Sequence, residues 1–314
     1  MQITQFSSKV QELYHQIQQQ VQAKIILQDN GRQEDWLAFD QSGHKRDHTG
    51  NIYLEMAQSS NPDFTLAHEL RHIQMEMSNF AEISFPITTT KPEFDQQLQA
   101  TAVSLLGSVE HVLIMQQQRA AGEITNQVKS DFIAGLAQKV EPETPATAQY
   151  FVFRILMLLD ALTFSEGQDW NHWEKLYPQS WSAASFLYQS MTKRLTASAF
   201  AVRRQEVNLL SEFNQLLHKQ NYQDLPYTDF VAIAPILSER QLRLTLEQVF
   251  KIKHAEFLDR QTNQRAFILI GNNDQQSVGT LNLQQLDPTQ YQRLYQINVQ
   301  DFLKAQQIHY LMRT

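Results

Sequence analysis

The sequence predicts an α+β protein that is predominantly α, and three observations carry that prediction. Three short β-like segments bounded by turn residues lie near the start, "KIILQ" (24–28), "DWLAFD" (35–40) and "NIYLEM" (51–56), and they predict a small sheet. Helical patterning then dominates up to about residue 220. Beyond about 250, "AEFLD", "RAFILIG" and "SVGTLNL", separated by polar turns, predict a short β-meander.

Element by element, the opening stretch sets Val10, Tyr14 and Ile17 at the spacing of one helix face, so an amphipathic helix comes first. After the three strands, "NPDF" opens a second helix. Asn61 is a residue type that caps free backbone N–H groups, and Pro62 suits the first helical position, where its missing N–H does no harm. "TKPEF" restarts helix with Thr90 and Glu93 at capping-box spacing and Pro92 in the first turn, and this helix runs to about Arg119. Helix continues from 126 to about 220, broken at "EPETP", "SEGQDW" and "LYPQSW". Its most apolar stretch, "YFVFRILMLLDALTF" (150–164), is too short to span a bilayer and is interrupted by Arg154 and Asp160. Thr144 and Pro145 supply its start and Gly167 its stop, as for a buried core helix.

Composition narrows the function. At 314 residues with 42% hydrophobic and 19% charged side chains, the chain can bury a sizeable core. A net charge of -7 opposes a nucleic-acid partner, because binding a polyanion needs a basic surface that displaces counterions. There is no cysteine, which excludes disulfides, thiolate-bound zinc, iron–sulfur clusters and thiol catalysis. Any transition metal must therefore rely on His, Asp or Glu. The N-terminus has no apolar run followed by a cleavage signature, so a cytoplasmic protein without a membrane partner is expected.

The chemistry concentrates in "FTLAHELRHI" (64–73), an HExxH string. Residues four apart lie one helical turn above each other, so His68 and His72 can offer imidazole nitrogens to one ion. Glu69 is rotated about 100° from His68, which keeps it out of the ligand set and near a water that the metal activates. There it acts as general base for hydrolysis of a peptide bond in a peptide or protein substrate. The competing structural reading is a core helix whose histidines bond to backbone carbonyls.

Two imidazoles leave a zinc site incomplete. Between Gln96 and Gln118 the only ionisable side chains are Glu110 and His111, set in "AVSLLGSVEHVLIM". A buried carboxylate needs a cation, a proton or a metal, so Glu110 is expected as third Zn2+ ligand. Three alternatives stand beside it. Glu110 can pair with an arginine, with Arg154 of the apolar helix the candidate, it can lie exposed at the helix surface, or His111 can be the third ligand with Glu110 orienting it from outside.

On "HELRH", the preceding strands and the Glu-bearing helix, the chain resembles the zincin metallopeptidases. It is most similar to their gluzincin type and to the compact ImmA/IrrE-type members, over roughly residues 1–120. The resemblance implies a zinc-dependent peptidase with His68, His72 and Glu110 as ligands and Glu69 as base. It also implies an edge strand at "GNIYLEM" along which a peptide substrate lies, through Asn51, Ile52, Tyr53 and Leu54. An oxyanion-stabilising group is expected among Tyr53, His111, Tyr150 and Arg154. A catalytically silent zincin-fold regulatory or scaffolding protein is the alternative. The expected division is a core over 1–120, a helical extension over 121–235 and a small C-terminal subdomain over 236–314.

Overall fold

The computed structural model describes residues 1–37, 42–78, 80–283 and 287–313. The fold is α+β, about 53% helix and 19% strand, so the helical predominance holds. The chain divides into two compact units, Met1–Ser78 with Glu110–Gln189, and Asn79–Val109 with Ser190–Thr314. These units differ from the expected consecutive division at 120 and 235, because the chain leaves the first unit after the motif helix, enters the second and returns.

The first unit begins with helix α1 (Ser8–Gln20), followed by strands β1 (Ile25–Glu34), β2 (Ser42–Arg46) and β3 (Ile52–Ser59). Strand order is β1-β3-β2, with β1 parallel and β2 antiparallel to β3. β1 runs through the residues expected to end it. Asp29, Asn30 and Gly31 form a bulge between Asp29 and Gln33, and Gly31 takes the positive φ of 76° that the kink requires. In the expected strand 35–40, residues 35–37 are not strand and 38–40 lie outside the described residues. β2 was instead hidden in a polar stretch.

Helix α2 (Pro62–Met77) packs with α1 on this sheet. Ile17, Ile52, Leu54, Met56, Leu66, Leu70 and Ile73 of their shared core are all 0% exposed. Each such aliphatic side chain contributes about 1.5–3 kcal/mol on burial. From Phe64 to Arg71 every residue of α2 is buried, so its polar side chains must find partners inside the fold. The start of α2 is built differently from the expected cap. The Asn61 carboxamide donates to Asp131 at 2.6 Å, and its side chain accepts no helix N–H.

Two short strands follow, β4 (Ile83–Ser84) and β5 (Ile87–Thr88), and then helix α3 (Pro92–Ala120), whose first part belongs to the second unit and whose last part belongs to the first. Its entry is held by Asp95, which accepts from the hydroxyls of Thr88 and Thr89, in place of the expected Thr90–Glu93 box. The first unit continues through α4 (Asn126–Lys139), a 3-10 turn (Pro145–Tyr150), α5 (Phe151–Ser165), α6 (Trp173–Leu176) and α7 (Pro178–Thr192). Thr144 and Gly167 bound the apolar helix as expected, the Gly167 N–H closing on Leu162. With the 3-10 turn included, this helix is longer than the sequence suggested. Pro92–Ala120 and Pro145–Ser165 are both long and apolar enough to cross a membrane, and 56% of each apolar window is buried, the pattern of core helices.

In the second unit come α8 (Ala199–Lys219), α9 (Tyr227–Phe230), β6 (Ala232–Ile233), β7 (Ile236–Leu237), α10 (Glu239–Leu242) and α11 (Leu246–Val249). Then follow β8 (Phe250–Asp259), β9 (Arg265–Gly271), β10 (Ser277–Leu281), α12 (Pro288–Tyr295), α13 (Val299–Ala305) and β11 (Leu311–Met312). β8, β9 and β10 form the expected meander, and β5 joins its β8 edge while β4 pairs with β6. Those two pairings draw 79–109 into the unit, and residues so distant in sequence leave no local signal.

Candidate metal centre

The helical repeat of α2 sets His68 and His72 one turn apart, with their Nε2 atoms 3.1 Å from each other. α3 brings His111 against both. The three ring centroids stand 4.8, 5.0 and 5.1 Å apart, a nearly equilateral triangle. One nitrogen from each ring falls within 4.8 Å of the others.

The outward nitrogens decide which atoms face inward. Gln118 is fully buried and its Nε2 donates to the Phe64 carbonyl at 3.1 Å, so its Oε1 is an acceptor, 3.0 Å from His68 Nδ1. His72 Nδ1 lies 3.3 Å from Glu110 Oε2, and His111 Nδ1 lies 3.3 Å from Asp160 Oδ1. The Gln118 acceptor sets His68 as the Nδ1–H tautomer with its lone pair on Nε2, while Glu110 and Asp160 stand 3.3 Å from the Nδ1 atoms of His72 and His111. At 3.1 Å the His68 and His72 Nε2 atoms share either a proton or a cation. Burial, with His72 and His111 alongside, pushes the His68 pKa well below its usual range, so a proton is disfavoured there. A metal ion fits the donor set. Two ligands of a tetrahedral ion at about 2.0–2.1 Å stand about 3.3 Å apart, close to the 3.1 Å between His68 and His72, with the His111 nitrogen within 4.8 Å of both.

The neighbouring side of α2 carries the opposite electrostatics. Glu69 accepts from Ser42 Oγ at 2.6 Å and lies 3.3 Å from His44 Nδ1, both on β2. His44 Nε2 lies 2.6 Å from Glu76, which Arg46 also contacts at 2.9 Å. Burial opposes charge on His44, yet the carboxylates of Glu69 and Glu76 outweigh it and raise the pKa to about 9. In return Glu76 falls to about 2 and Glu69 is lowered, burial again opposing and His44 prevailing.

These positions revise several expectations. Glu110 occupies the outer place on His72, while His111 takes the inner place beside the motif histidines; adjacent helix residues point about 100° apart, and only one can face α2. Asp160, not Glu110, orients His111. Arg154 is not the partner of Glu110, since its guanidinium donates to Ser180 Oγ and the Thr147 carbonyl. Asn51, Ile52, Tyr53 and Leu54 do not form a substrate edge, because β3 is the central strand and has hydrogen-bonded neighbours on both sides. β2 is the sheet edge that meets Glu69. Among the oxyanion candidates, His111 stands within the cluster and Tyr150 is 46% exposed at the head of α5.

Sequence reasoning missed Ser42, His44, Glu76, Gln118 and Asp160. Glu76 lies seven residues after Glu69, two turns along the same face, and was open to the periodicity argument that found His72. Comparison with known proteins adds no assignment, since no protein-family model, no curated protein and no solved structure matches the chain.

Proposed function

We propose that the first unit is a metal-dependent hydrolase of peptide bonds with a zincin-like core, its ion held by His68, His72 and His111. The observation that carries this reading is the convergence of three imidazoles within 4.8 Å, each with an oxygen of Gln118, Glu110 or Asp160 beside its Nδ1. Ligating histidines characteristically donate their second N–H to such a partner. Three neutral imidazoles suit zinc, which then supplies a Lewis acid that polarises a carbonyl and activates water. The third ligand is a histidine in this reading, which departs from the gluzincin pattern.

Glu69 is the proton acceptor, with Ser42 and His44 fixing its two oxygens. The same contacts favour a second reading, a catalytically silent zincin-fold regulator, because a carboxylate already satisfied from β2 and lowered in pKa is a weaker base.

Cleavage of a peptide library separates the two readings. The protein purified without chelators is expected to carry about one zinc per chain and to cleave peptides. Glu69→Gln should keep the metal and lose activity by ~100-fold or more. Metal content with no cleavage by wild type supports the silent regulator, and protein devoid of metal counts against both.

A further inference from the structure

The second unit holds a cavity of about 260 Å³. Its wall is apolar and buried, built from Val207, Leu237, Phe250 and Val278. Its more accessible lining is polar and cationic, with Arg204, Arg313, Asn208 and Asn272. The volume lies just below the range of about 300–1,000 Å³ for sites that take drug-sized molecules, so it suits only a small ligand.

The charge balance of this lining points to a ligand. Three guanidinium groups, those of Arg203, Arg204 and Arg313, face one carboxylate, Asp274. Arg203 consumes that carboxylate at 2.6 Å and spends its other donors on the Ala234 and Ile233 carbonyls. Arg204 makes a single hydrogen bond, to the Arg194 carbonyl, and Arg313 lies with its guanidinium carbon 3.8 Å from the Phe200 ring centroid. Neither has a carboxylate partner among the described residues. Two uncompensated guanidiniums at one cavity are a concentrated positive field in a chain of net charge -7.

Phe200, Arg203 and Arg204 also stand in the first turns of α8, a helix of 21 residues, so its dipole adds positive potential at the same place. The Arg313 guanidinium lies over the Phe200 ring in a cation–π contact that holds it at the cavity.

From this arrangement we infer that the cavity binds a small organic anion, an apolar body carrying one phosphate or carboxylate head. The body lies against Val207, Leu237, Phe250 and Val278, and the head takes the forked donors of Arg204 and Arg313. Asn208 and Asn272 supply neutral polar groups beside the head. The inference does not rest on the metal centre.

Calorimetric titration of the full chain with phenyl phosphate, benzoate, inorganic phosphate and neutral benzyl alcohol tests it. At least one of the two aromatic anions should bind, more weakly as salt is raised, with benzyl alcohol giving no heat. Whichever anion binds more tightly assigns the head group. Arg204→Gln and Arg313→Gln should each weaken that anion by about 10-fold, the loss expected for a charge-assisted hydrogen bond. Both side chains are at least partly exposed, and unliganded thermal melts of the variants should match wild type. Absence of binding by both aromatic anions overturns the inference, as does undiminished binding in the double variant. Inorganic phosphate binding as tightly as phenyl phosphate also overturns it, because the apolar wall then has no part.

Discussion

The two sides of helix α2 use the same side-chain type in opposite charge states. Toward α3, His68 and His72 meet His111, and Gln118 and Glu110 stand beside their outer nitrogens. Toward β2, His44 is clamped at both nitrogens by carboxylates, Glu69 on one and Glu76 on the other. The first arrangement favours a neutral His68, and the second favours imidazolium at His44. What separates a ligand-ready histidine from a charged structural one is therefore the number of ring nitrogens given to carboxylates. Burial alone does not decide it, since both kinds are largely buried.

The largest effect expected from breaking this contrast is at His68. His68→Ala removes one inward nitrogen, and zinc affinity measured by competition with a chelator should fall by ~100-fold or more. Asp160→Asn tests the outer anchoring. It leaves the ligand set intact and should weaken affinity by ~10-fold to 100-fold, as loss of an orienting partner does elsewhere. An unchanged affinity would mean that the contact at 3.3 Å does not aim His111.

The clamped side should show itself in pH dependence. The His44 pKa is raised from 6.5 to about 9, so its stabilising contribution is complete below pH 6.5 and is lost as pH rises through 9. Glu76 is lowered from 4.5 to about 2, so its contribution is complete above pH 4.5 and is lost as pH falls through 2. The gap in melting temperature between wild type and His44→Ala should therefore be widest between pH 4.5 and 6.5. A gap that grows from pH 6.5 to 9 would contradict the clamp. The smallest effect is at Ser42, where Ser42→Ala removes one hydrogen bond to Glu69 and should cost about 1–2 kcal/mol, a shift of a few degrees in a thermal melt.

How much of this was legible in the sequence follows from how local each signal is. His68, Glu69 and His72 were legible because the spacing along one helix is fixed by its own geometry. The pair Glu110 and His111 stood out as the only ionisable residues in their stretch, but their ranking depended on how α3 turns toward α2, which no local pattern encodes. Gln118 sits in a run of glutamines and gave no signal. β2 was invisible because "SGHKR" has neither apolar alternation nor β-branched residues, and without it β3 passed for an edge. The meander was legible because each of its strands alternates or runs apolar between clear turns. The strands that join it from 83–88 were not, since two-residue pairings depend on where the chain returns.

The central claim is that His111, and not Glu110, completes the ligand set, and one zinc titration on two variants tests it most directly. His111→Ala should lose stoichiometric zinc, whereas Glu110→Gln should still bind about one ion per chain, with affinity reduced by ~100-fold at most because an orienting partner of His72 has been changed. Retention of zinc by His111→Ala together with its loss from Glu110→Gln would contradict the account and restore the carboxylate as third ligand.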